Sequence, residues 1–475
     1  MPWNRAGARP RRRTIEHWEP NDATFWAAIG QRVARRNLSF SILAEFIGFS
    51  VWLVWSVVAV NLNKAGFDLS TDQLFWLVSL PALVGATMRL PYGAAVPLIG
   101  GRNFTVFSAA VLLVPTVGLA VLVQDPTTPY WLLLLCAGTA GLGGGNFASS
   151  MANISHFYPE HRKGWALGLN AAGGNIGVSF VQVAVPAAIG LGVLGLGGSG
   201  GGALSLEWAG LLFVPLIVVA VVCALLFMDN LTVARAGLRE QAAILRRGHT
   251  WVMSFLYIGT FGSFIGYSAA FPLLISLEFP DVQPLRYAFL GALVGSISRP
   301  LGGWLSDRVG GGPVTIGSFV AMAIAVGGVL MSLSAGSFVG FFGCFMALFV
   351  ASGAGNGSTY RIIPTVFLRD RLAEVEGHGP EATARAQRQG RTEAAAAIAF
   401  SSAIGAYGGF LIPQGFSRSI SASGGPETAL AIFAAFYVIC LVVTWWFYLR
   451  SPASRKSRVA VVLDRLASTT VSRSR

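Results

Sequence analysis

The sequence predicts an all-α membrane protein with twelve transmembrane helices in two pseudo-symmetric halves of six, with both termini cytoplasmic. Three observations support this prediction: the composition, the recurrence of apolar stretches and the distribution of basic residues. Of the 475 residues, 54% are hydrophobic and only 12% are charged, and the mean hydropathy is +0.62. This composition excludes a soluble protein of two or three domains, because soluble domains carry about twice that fraction of charged residues.

Apolar stretches of about 20 residues, the length at which an α-helix crosses a bilayer, recur along the whole chain. Each is bounded by polar, charged or glycine-rich residues that favour loops. We predict twelve spans, at residues 38–62, 73–95, 103–123, 130–155, 164–190, 208–228, 251–277, 287–306, 314–334, 337–360, 394–416 and 428–449.

Basic residues alternate between the two sides of these spans. With the N-terminus inside, the cytoplasmic segments contain 28 of the 34 lysine and arginine residues, whereas the outer loops contain only Lys64, Arg286 and Arg418. Lysine and arginine are concentrated on the cytoplasmic side of membrane proteins, and a shifted span count would destroy this alternation. We therefore assign the net charge of +13 to topology and to contact with membrane lipids, not to nucleic-acid binding.

An internal repeat divides the chain into two halves. The pattern Gly85-x3-Arg89 recurs 210 positions later as Gly295-x3-Arg299, and the glycine-rich stretch 141–146 is echoed at 353–358. In transporters, repeats of this kind have the binding site at their interface. The repeat therefore predicts two homologous six-helix bundles with a site between them.

The predicted organisation follows from these spans and from the polar segments between them. We expect the polar loop after the tenth span to contain a surface helix, because it is rich in Ala, Glu, Arg and Gln. The predicted segments are a cytoplasmic tail at 1–37, a first bundle at 38–229, a cytoplasmic linker at 230–250, a second bundle at 251–449 with a cytoplasmic loop at 368–392, and a cytoplasmic tail at 450–475.

Arg89 and Arg299 lie inside predicted spans that contain no acidic residue. A guanidinium stays protonated in proteins and costs about 2.5 to 3.5 kcal/mol in a membrane even on the mildest scale. Each arginine therefore needs an anionic or polar partner. One small anion that binds and leaves can serve both, so the pair predicts an anion transporter; pairing with carbonyl groups at helix ends is the structural alternative.

Two glycine- and asparagine-rich strings then suggest a family. Residues 141–159 begin Gly-Leu-Gly-Gly-Gly-Asn-Phe-Ala-Ser-Ser, and residues 164–177 are Gly-Trp-Ala-Leu-Gly-Leu-Asn-Ala-Ala-Gly-Gly-Asn-Ile-Gly. Together they resemble the nitrate signature of the nitrate/nitrite porter (NarK/NarU-type) family, and residues 353–358 resemble its second copy. The similarity extends over nearly the whole chain, from Trp18 to Trp446.

A second motif lies between the eighth and ninth spans. Residues 303–311, Gly-Trp-Leu-Ser-Asp-Arg-Val-Gly-Gly, resemble the cytoplasmic signature loop of the major facilitator superfamily. The resemblance implies the major facilitator fold and makes Asp307 and Arg308 candidates for gating. In the first half, Pro97 stands where the aspartate would be, so only the second half keeps the acidic residue.

The resemblance to nitrate porters also implies a set of substrate-binding residues. Nitrate and nitrite are small planar anions, and arginine presents a planar fork that donates paired hydrogen bonds to such oxygens. Each residue has a structural alternative: helix packing for the glycines and asparagines, an interfacial position for the tyrosine, and core or lipid contact for the phenylalanines. The implied residues are Arg89, Arg299, Asn175, Tyr257, Phe49, Phe147, Phe261, Gly144, Asn146, Gly355 and Asn356.

Glu45 is the only acidic residue well inside a predicted span. Buried carboxylates often carry protons, so a role in proton coupling is one interpretation. We favour instead a local ion pair with a cation at the cytoplasmic end of a span, such as Arg361. Both residues are kept as candidates for coupling or gating.

The predicted function is nitrate/nitrite antiport by alternating access, by a monomer in the bacterial cytoplasmic (inner) membrane. No cofactor or metal is expected, because the four cysteines lie singly in apolar spans and no cluster of His, Cys or carboxylates suggests an enzyme. Proton–nitrate symport, nitrite export, transport of phosphorylated or carboxylate solutes, and a membrane sensor remain as alternatives. The scarcity of titratable residues within the spans argues against proton coupling.

Overall fold

The computed structural model of the chain describes residues 14–191, 205–232 and 243–450. Parts of the predicted tails 1–37 and 450–475, and of the linker 230–250, lie outside the described residues. The chain divides into two compact units, Met1–Ala242 (unit 1) and Ala243–Arg475 (unit 2). The division falls within the segment 230–250.

Unit 1 is built from helices, with one pair of very short strands. A π-helical turn at Trp26–Gly30 precedes α2, and a 3-10 turn at Asn63–Ala65 follows α3. Its elements are β1 Thr14–Ile15, α1 Ala23–Phe25, α2 Gln31–Trp52, α3 Trp55–Leu62, α4 Thr71–Ile99, α5 Gly101–Ala110, α6 Leu113–Leu122, α7 Tyr130–Ala140, α8 Leu142–Phe157, α9 Glu160–Leu191, α10 Trp208–Leu211, α11 Phe213–Phe227 and β2 Asn230–Leu231.

The regular elements that the structure describes in unit 2 are all helical. A π-helical segment at Ile258–Gly262 joins its first two helices, and 3-10 turns occupy Ala243–Arg246 and Pro284–Arg286. Its helices are α12 Gly248–Tyr257, α13 Ser263–Glu278, α14 Ala288–Val309, α15 Gly311–Ser334, α16 Phe338–Glu374, α17 Pro380–Ala406, α18 Gly408–Ser423 and α19 Glu427–Tyr448.

Eleven helical segments of the described ranges are long and apolar enough to cross a membrane. They correspond to all the predicted spans except the eighth. That span is the 22-residue helix α14, and Arg299, Asp307 and Arg308 lower its hydropathy. The chain is therefore a helical membrane protein.

The surface of these helices is apolar. Large hydrophobic side chains on different helices are strongly exposed, among them Leu98, Ile324, Met331 and Val339, the last with 81% of its surface exposed. Hydroxyl groups inside the helices instead donate to the carbonyl four residues earlier, as Ser268 does to Phe264 and Thr444 to Cys440. An apolar outer surface, with hydroxyl groups that bond carbonyls of their own helix, is the arrangement that a lipid environment requires.

One pair of two-residue strands accompanies the helices of unit 1. Thr14 and Ile15 pair in parallel with Asn230 and Leu231. The chain is extended on both sides of this pairing, before the first helix begins and after α11 ends, so backbone groups that no helix satisfies bond each other.

The repeat is visible in the backbone of the two units. Gly100 between α4 and α5 has φ +89°, and Gly310 between α14 and α15 has φ +93°. They are 210 positions apart, the same offset as the two arginines, and both end the arginine-bearing helix with a conformation that favours glycine. The same turn therefore follows Arg89 and Arg299 at the same distance along the chain.

The predicted loop 368–392 is largely helical. α16 continues to Glu374 and α17 already begins at Pro380, with positive-φ glycines Gly377 and Gly379 in the turn between them. Ion pairs join these two helix ends to each other and to the start of α12: Arg371 contacts Glu374 and Glu393, and Arg247 contacts the same two carboxylates. The expected surface helix is thus an extension of two long helices.

Candidate functional site

Arg89 lies in the middle of α4 and is almost completely buried, with 1% of its surface exposed. Its Nε donates a hydrogen bond to the carbonyl oxygen of Gly144 in α8, at 3.1 Å. The guanidinium carbon lies 4.7 Å from the ring centre of Phe147 and 5.4 Å from that of Trp52. Both distances are within the range of a cation–π interaction. The arginine is therefore held by one carbonyl and two rings.

The glycines of the first signature make room for this arrangement. A Cβ added to Gly144 would lie 2.5 Å from the Trp52 ring, and one added to Gly143 would lie 2.2 Å from the carbonyl oxygen of Gly48. Distances below 3 Å are not tolerated without movement. Glycine at these two positions thus lets α8 approach α2 closely and accommodates the tryptophan.

The predicted aromatic walls of unit 1 are present and buried. Phe49 and Phe147 are 0% and 1% exposed, and their ring centres are 6.1 Å apart. Phe49 also meets the Trp52 ring edge to face at 5.2 Å. The structure thus places Phe147 beside Arg89, and Phe49 beside Phe147 and Trp52; their role around an anion stays a prediction.

Two of the predicted asparagines of unit 1 are also buried. Asn146 on α8 is 3% exposed, and neither polar atom of its side chain has a hydrogen-bond partner in the described part of the chain. Its amide nitrogen lies against Gly48, where an added Cβ would be 2.8 Å away. Asn175 on α9 is 1% exposed. A buried amide without a partner is uncommon, so Asn146 is a candidate for binding a polar ligand.

Arg299 occupies the equivalent position on α14 in unit 2 and is 6% exposed. Its Nη2 lies 3.5 Å from the hydroxyl oxygen of Tyr257, and its guanidinium carbon lies 5.5 Å from the ring centre of Tyr360. Among the described residues, Nη1 has no hydrogen-bond partner. Arg299 therefore keeps a buried donor that a ligand can use.

Tyr257 and Phe261 are brought together with Arg299 by an irregular helix. α12 ends at Tyr257 and is followed by the π-helical turn, which contains Phe261. The two rings stack with centres 5.4 Å apart, and both are fully buried. A π-helical turn inside an α-helix often marks a functional site, because it displaces side chains from the regular helical positions.

The second signature packs α16 against α14. A Cβ added to Gly353 would lie 2.1 Å from the carbonyl oxygen of Gly295, and one on Gly357 would lie 2.0 Å from that of Arg299. Gly355 faces the π-helical turn instead. A Cβ added to Gly355 would lie 2.8 Å from the methyl group of Thr260.

Asn356 in this signature is 1% exposed. As with Asn146, both polar atoms of its side chain lack a hydrogen-bond partner within the ranges that the structure describes. Each signature thus contains a buried asparagine whose hydrogen-bonding capacity is not used by those residues. This shared feature is what a site for a small polar solute requires.

Glu45 is completely buried on α2 and belongs to a polar network in unit 1. Its Oε2 accepts hydrogen bonds from Ser150 and from Asn170, each at 2.6 Å. Ser150 also contacts Ser41 at 2.9 Å. The carboxylate therefore links α2, α8 and α9.

Arg361 forms its ion pair with Asp307, at 3.0 Å, on the half-exposed surface of unit 2. The cation expected to balance Glu45 thus has a carboxylate partner in its own unit. The pairing of Glu45 with Arg361 stays a prediction. The neighbouring Arg308 lies over the ring of Trp304 at 3.8 Å. Asp307 and Arg308 are both exposed, outside the buried surroundings of Arg299.

Trp52 and Tyr360 were not predicted from the sequence. Each places an aromatic ring over one of the two arginines. Trp52 follows Phe49 by three residues, and Tyr360 follows Asn356 by four, so both lie on the same helix face as a predicted site residue. This spacing was the available signal, although apolar spans contain many aromatic residues at such intervals.

Comparisons with known proteins agree with this architecture. Residues 38–375 match the family model described as Major Facilitator Superfamily. A D-xylose–proton symporter structure superimposes with a TM-score of 0.64 at 16% identity, covering 87% of this chain and 98% of that one. At that identity, the likeness concerns the fold alone.

Two bacterial relatives are similar over nearly their entire length. The nitrate/nitrite transporter NarU of Escherichia coli (strain K12) is 42% identical, covering 93% of this chain and 97% of that protein. A probable nitrate/nitrite antiporter, NarK2 of Thermus thermophilus, is 37% identical, covering 93% and 98%. This chain therefore belongs to the major facilitator superfamily and, within it, to the NarK/NarU-type nitrate/nitrite transporter family.

Proposed function

We propose that the protein transports nitrate and nitrite across the bacterial cytoplasmic membrane and exchanges one anion for the other by alternating access. The observation that carries the proposal is found in both units: a buried arginine with an aromatic ring over its guanidinium, on a helix that packs against a glycine-rich signature with a buried asparagine. The relatives named as nitrate/nitrite transporters support the choice of anion.

The chemistry of these side chains suits a small planar oxyanion. The Arg299 Nη1 donor and the Asn356 amide are buried, with no hydrogen-bond partner within the described ranges, and a bound anion would supply acceptors for them. In unit 1, Arg89 offers a charge whose plane is fixed by two rings and the Gly144 carbonyl. Flat, apolar walls such as Phe49, Phe147 and Phe261 favour a weakly hydrated anion over strongly hydrated phosphate.

Exchange follows from the charge of the two arginines. If one anion serves both guanidinium groups, the empty site contains two like charges in a medium of low dielectric constant, and their repulsion opposes closure. A bound nitrate or nitrite relieves this repulsion, so the loaded protein changes conformation readily while the empty protein does so slowly. Antiport without a proton is the consequence.

The proposal includes a topology of twelve transmembrane helices with both termini cytoplasmic, acting as a monomer. Eleven apolar helical segments in the described residues, together with α14, support the number of spans, and the distribution of basic residues supports the orientation. Transport, not catalysis, is the proposed activity.

The experiment is reconstitution of the purified protein into liposomes and measurement of labelled nitrate uptake. The vesicles are loaded with nitrite, with nitrate or with neither, and each condition is measured with and without a pH gradient. We expect uptake only into vesicles loaded with either anion, at a rate that the gradient does not change. Uptake into vesicles loaded with neither anion, driven by an acidic exterior, would overturn exchange.

One observation favours proton–nitrate symport as a second candidate. Glu45 is a completely buried carboxylate with two hydrogen-bond donors on neighbouring helices. Such a group can take up a proton during transport. Symport requires that a pH gradient drive net nitrate uptake, and that Glu45→Gln abolish this drive.

A further inference from the structure

We infer that Trp52 is a positioning residue that sets the plane of the Arg89 guanidinium and thereby the preference for planar anions. The inference rests on the proposed function, because it assigns a task to a residue next to the proposed anion site. Trp52 is 1% exposed and lies on α2, whereas Arg89 lies on α4. Trp52 would therefore act on the anion only through its effect on Arg89.

Trp52 is fixed in place from several sides. Its Nε1 donates a hydrogen bond to the carbonyl oxygen of Pro81, at 2.8 Å, and Pro81 lies on the same helix as Arg89. An added Cβ on Gly85 would lie 2.7 Å from Nε1, and one on Gly144 would lie 2.5 Å from the ring. Phe49 meets the ring edge to face. The indole is therefore confined to one orientation and cannot rotate without moving α4 or α8.

The confined indole in turn constrains the arginine. The guanidinium has the Phe147 ring at 4.7 Å and the Trp52 ring at 5.4 Å, and its Nε is bonded to Gly144. Trp is the strongest cation–π partner among the aromatic side chains, and the interaction is larger when water is excluded. Because the guanidinium is planar, fixing its plane also fixes the directions of its remaining N–H groups.

The same contacts explain why glycine stands at two positions of the repeat. Gly85 belongs to the Gly-x3-Arg pattern and Gly144 to the first signature, and both abut Trp52. The two motifs that pointed to the anion site therefore meet at one indole ring. Trp52 connects the signature glycine to the substrate arginine.

When the fork bonds two oxygens of an anion, the third oxygen of nitrate stays in the plane of the guanidinium, whereas the third oxygen of a pyramidal anion lies out of that plane, toward a face of the guanidinium. Nitrate is planar, whereas chlorate has the same charge and three oxygens but is pyramidal. Loss of the indole should therefore weaken nitrate binding more than chlorate binding. This change in preference separates a positioning role from a role in folding alone, which would alter the amount of active protein and leave the preference intact.

The test compares Trp52→Leu and Trp52→Phe with Trp55→Phe in nitrate-loaded proteoliposomes. Trp55 is a matched control, because it is also 1% exposed in the same part of the chain, and its indole nitrogen has no hydrogen-bond partner among the described residues. The KM and maximal rate for labelled nitrate exchange are measured, together with inhibition of the exchange by chlorate. Trp52→Phe keeps a ring and serves if Trp52→Leu does not fold.

For Trp52→Leu we expect a nitrate KM about tenfold higher and a reduced preference for nitrate over chlorate. Trp52→Phe should show a smaller change in the same direction, and Trp55→Phe should behave as the wild type. A lower maximal rate with unchanged KM and preference in Trp52→Phe would overturn the inference, as would an equal shift in Trp55→Phe. Failure of the wild-type protein to exchange nitrate would overturn the proposed function and the inference with it.

Discussion

The two units differ in how closely their own side chains and backbone contact the buried arginine. In unit 1, Arg89 bonds a backbone carbonyl at 3.1 Å and lies between two aromatic rings. In unit 2, Arg299 has a long 3.5 Å contact with the Tyr257 hydroxyl, a ring at 5.5 Å, and a buried Nη1 with no hydrogen bond among the residues described there. The repeat thus preserves the charge and changes its surroundings.

This difference suggests a division of labour. A guanidinium fixed by its own unit presents a ready-made fork, which lowers the ordering cost of binding. A guanidinium with an unused donor depends more on the ligand to complete its hydrogen bonds. We therefore expect Arg89 to contribute to both stability and binding, and Arg299 chiefly to binding.

Replacing each arginine by lysine should produce the largest effects and tests this division directly. Lysine keeps the charge and loses the planar fork, so both Arg89→Lys and Arg299→Lys should lower kcat/KM for nitrate exchange by roughly 10- to 100-fold. Only Arg89→Lys should also lower the Tm of the protein in detergent, because among the described residues Arg89 has two rings over its guanidinium and Arg299 has one. Undiminished exchange in either variant would count against coordination by that arginine.

Adding a methyl group to the signature glycines should come next in size. In Gly143→Ala and Gly357→Ala the new carbon would lie 2.2 and 2.0 Å from backbone oxygens of Gly48 and Arg299. Overpacking against backbone costs about 1 to 3 kcal/mol, so the Tm of both variants should fall.

Gly168→Ala is the matched control for this comparison, because a Cβ there meets nothing within 4 Å. Its Tm should equal that of the wild type or exceed it slightly, since alanine favours a helix. In unit 2 the added carbon of Gly357→Ala would press against the backbone of Arg299 itself, so this variant should also lower the affinity for nitrate. A Tm in Gly143→Ala equal to that of Gly168→Ala would show that the helices can separate at low cost.

The two arginines and the signature glycines could be predicted as site residues because the pattern that marks each of them is local in the sequence. A charge in an apolar span and a string of small residues are visible without knowledge of the neighbours. Trp52 was missed for the opposite reason. Nothing in an apolar span distinguishes an aromatic ring that lies over a cation from one that packs in the core.

The helix ends show a second limit of sequence patterns. The predicted tenth span ends, and the predicted eleventh span begins, where the apolar residues do. In the structure, α16 continues beyond the tenth span to Glu374, and α17 begins before the eleventh span, at Pro380. The extensions are polar helices stabilised by ion pairs such as that of Arg371 with Glu393. Hydropathy reports contact with lipid and not helical structure, so it cannot place these ends.

Tyr257→Phe should have a moderate effect. It tests whether the Tyr257 hydroxyl, in the same unit, orients the Arg299 guanidinium. The substitution removes the hydroxyl at 3.5 Å and leaves the stacking with Phe261, so we expect the KM for nitrate to rise about two- to fivefold. The change should be smaller in an Arg299→Lys background, since the hydroxyl then has no fork to orient. Equal effects in both backgrounds would mean that Tyr257 acts independently of Arg299.

Glu45→Gln should have the smallest effect on exchange, and it tests a feature of unit 1. The described residues of unit 2 contain no buried carboxylate of this kind. Glutamine is nearly isosteric, and its carbonyl oxygen can still accept from Ser150 and Asn170, so α2, α8 and α9 should stay linked. We expect nitrate exchange within about twofold of the wild type. The rate should also have the same dependence on external pH between 5.5 and 8.

In our proposal the Glu45 carboxylate has a structural role, because few titratable groups lie in the spans. A pH-dependent wild type that becomes pH-independent in this variant would instead assign proton coupling to unit 1. The division of labour between the two units would then include the proton as well as the anion.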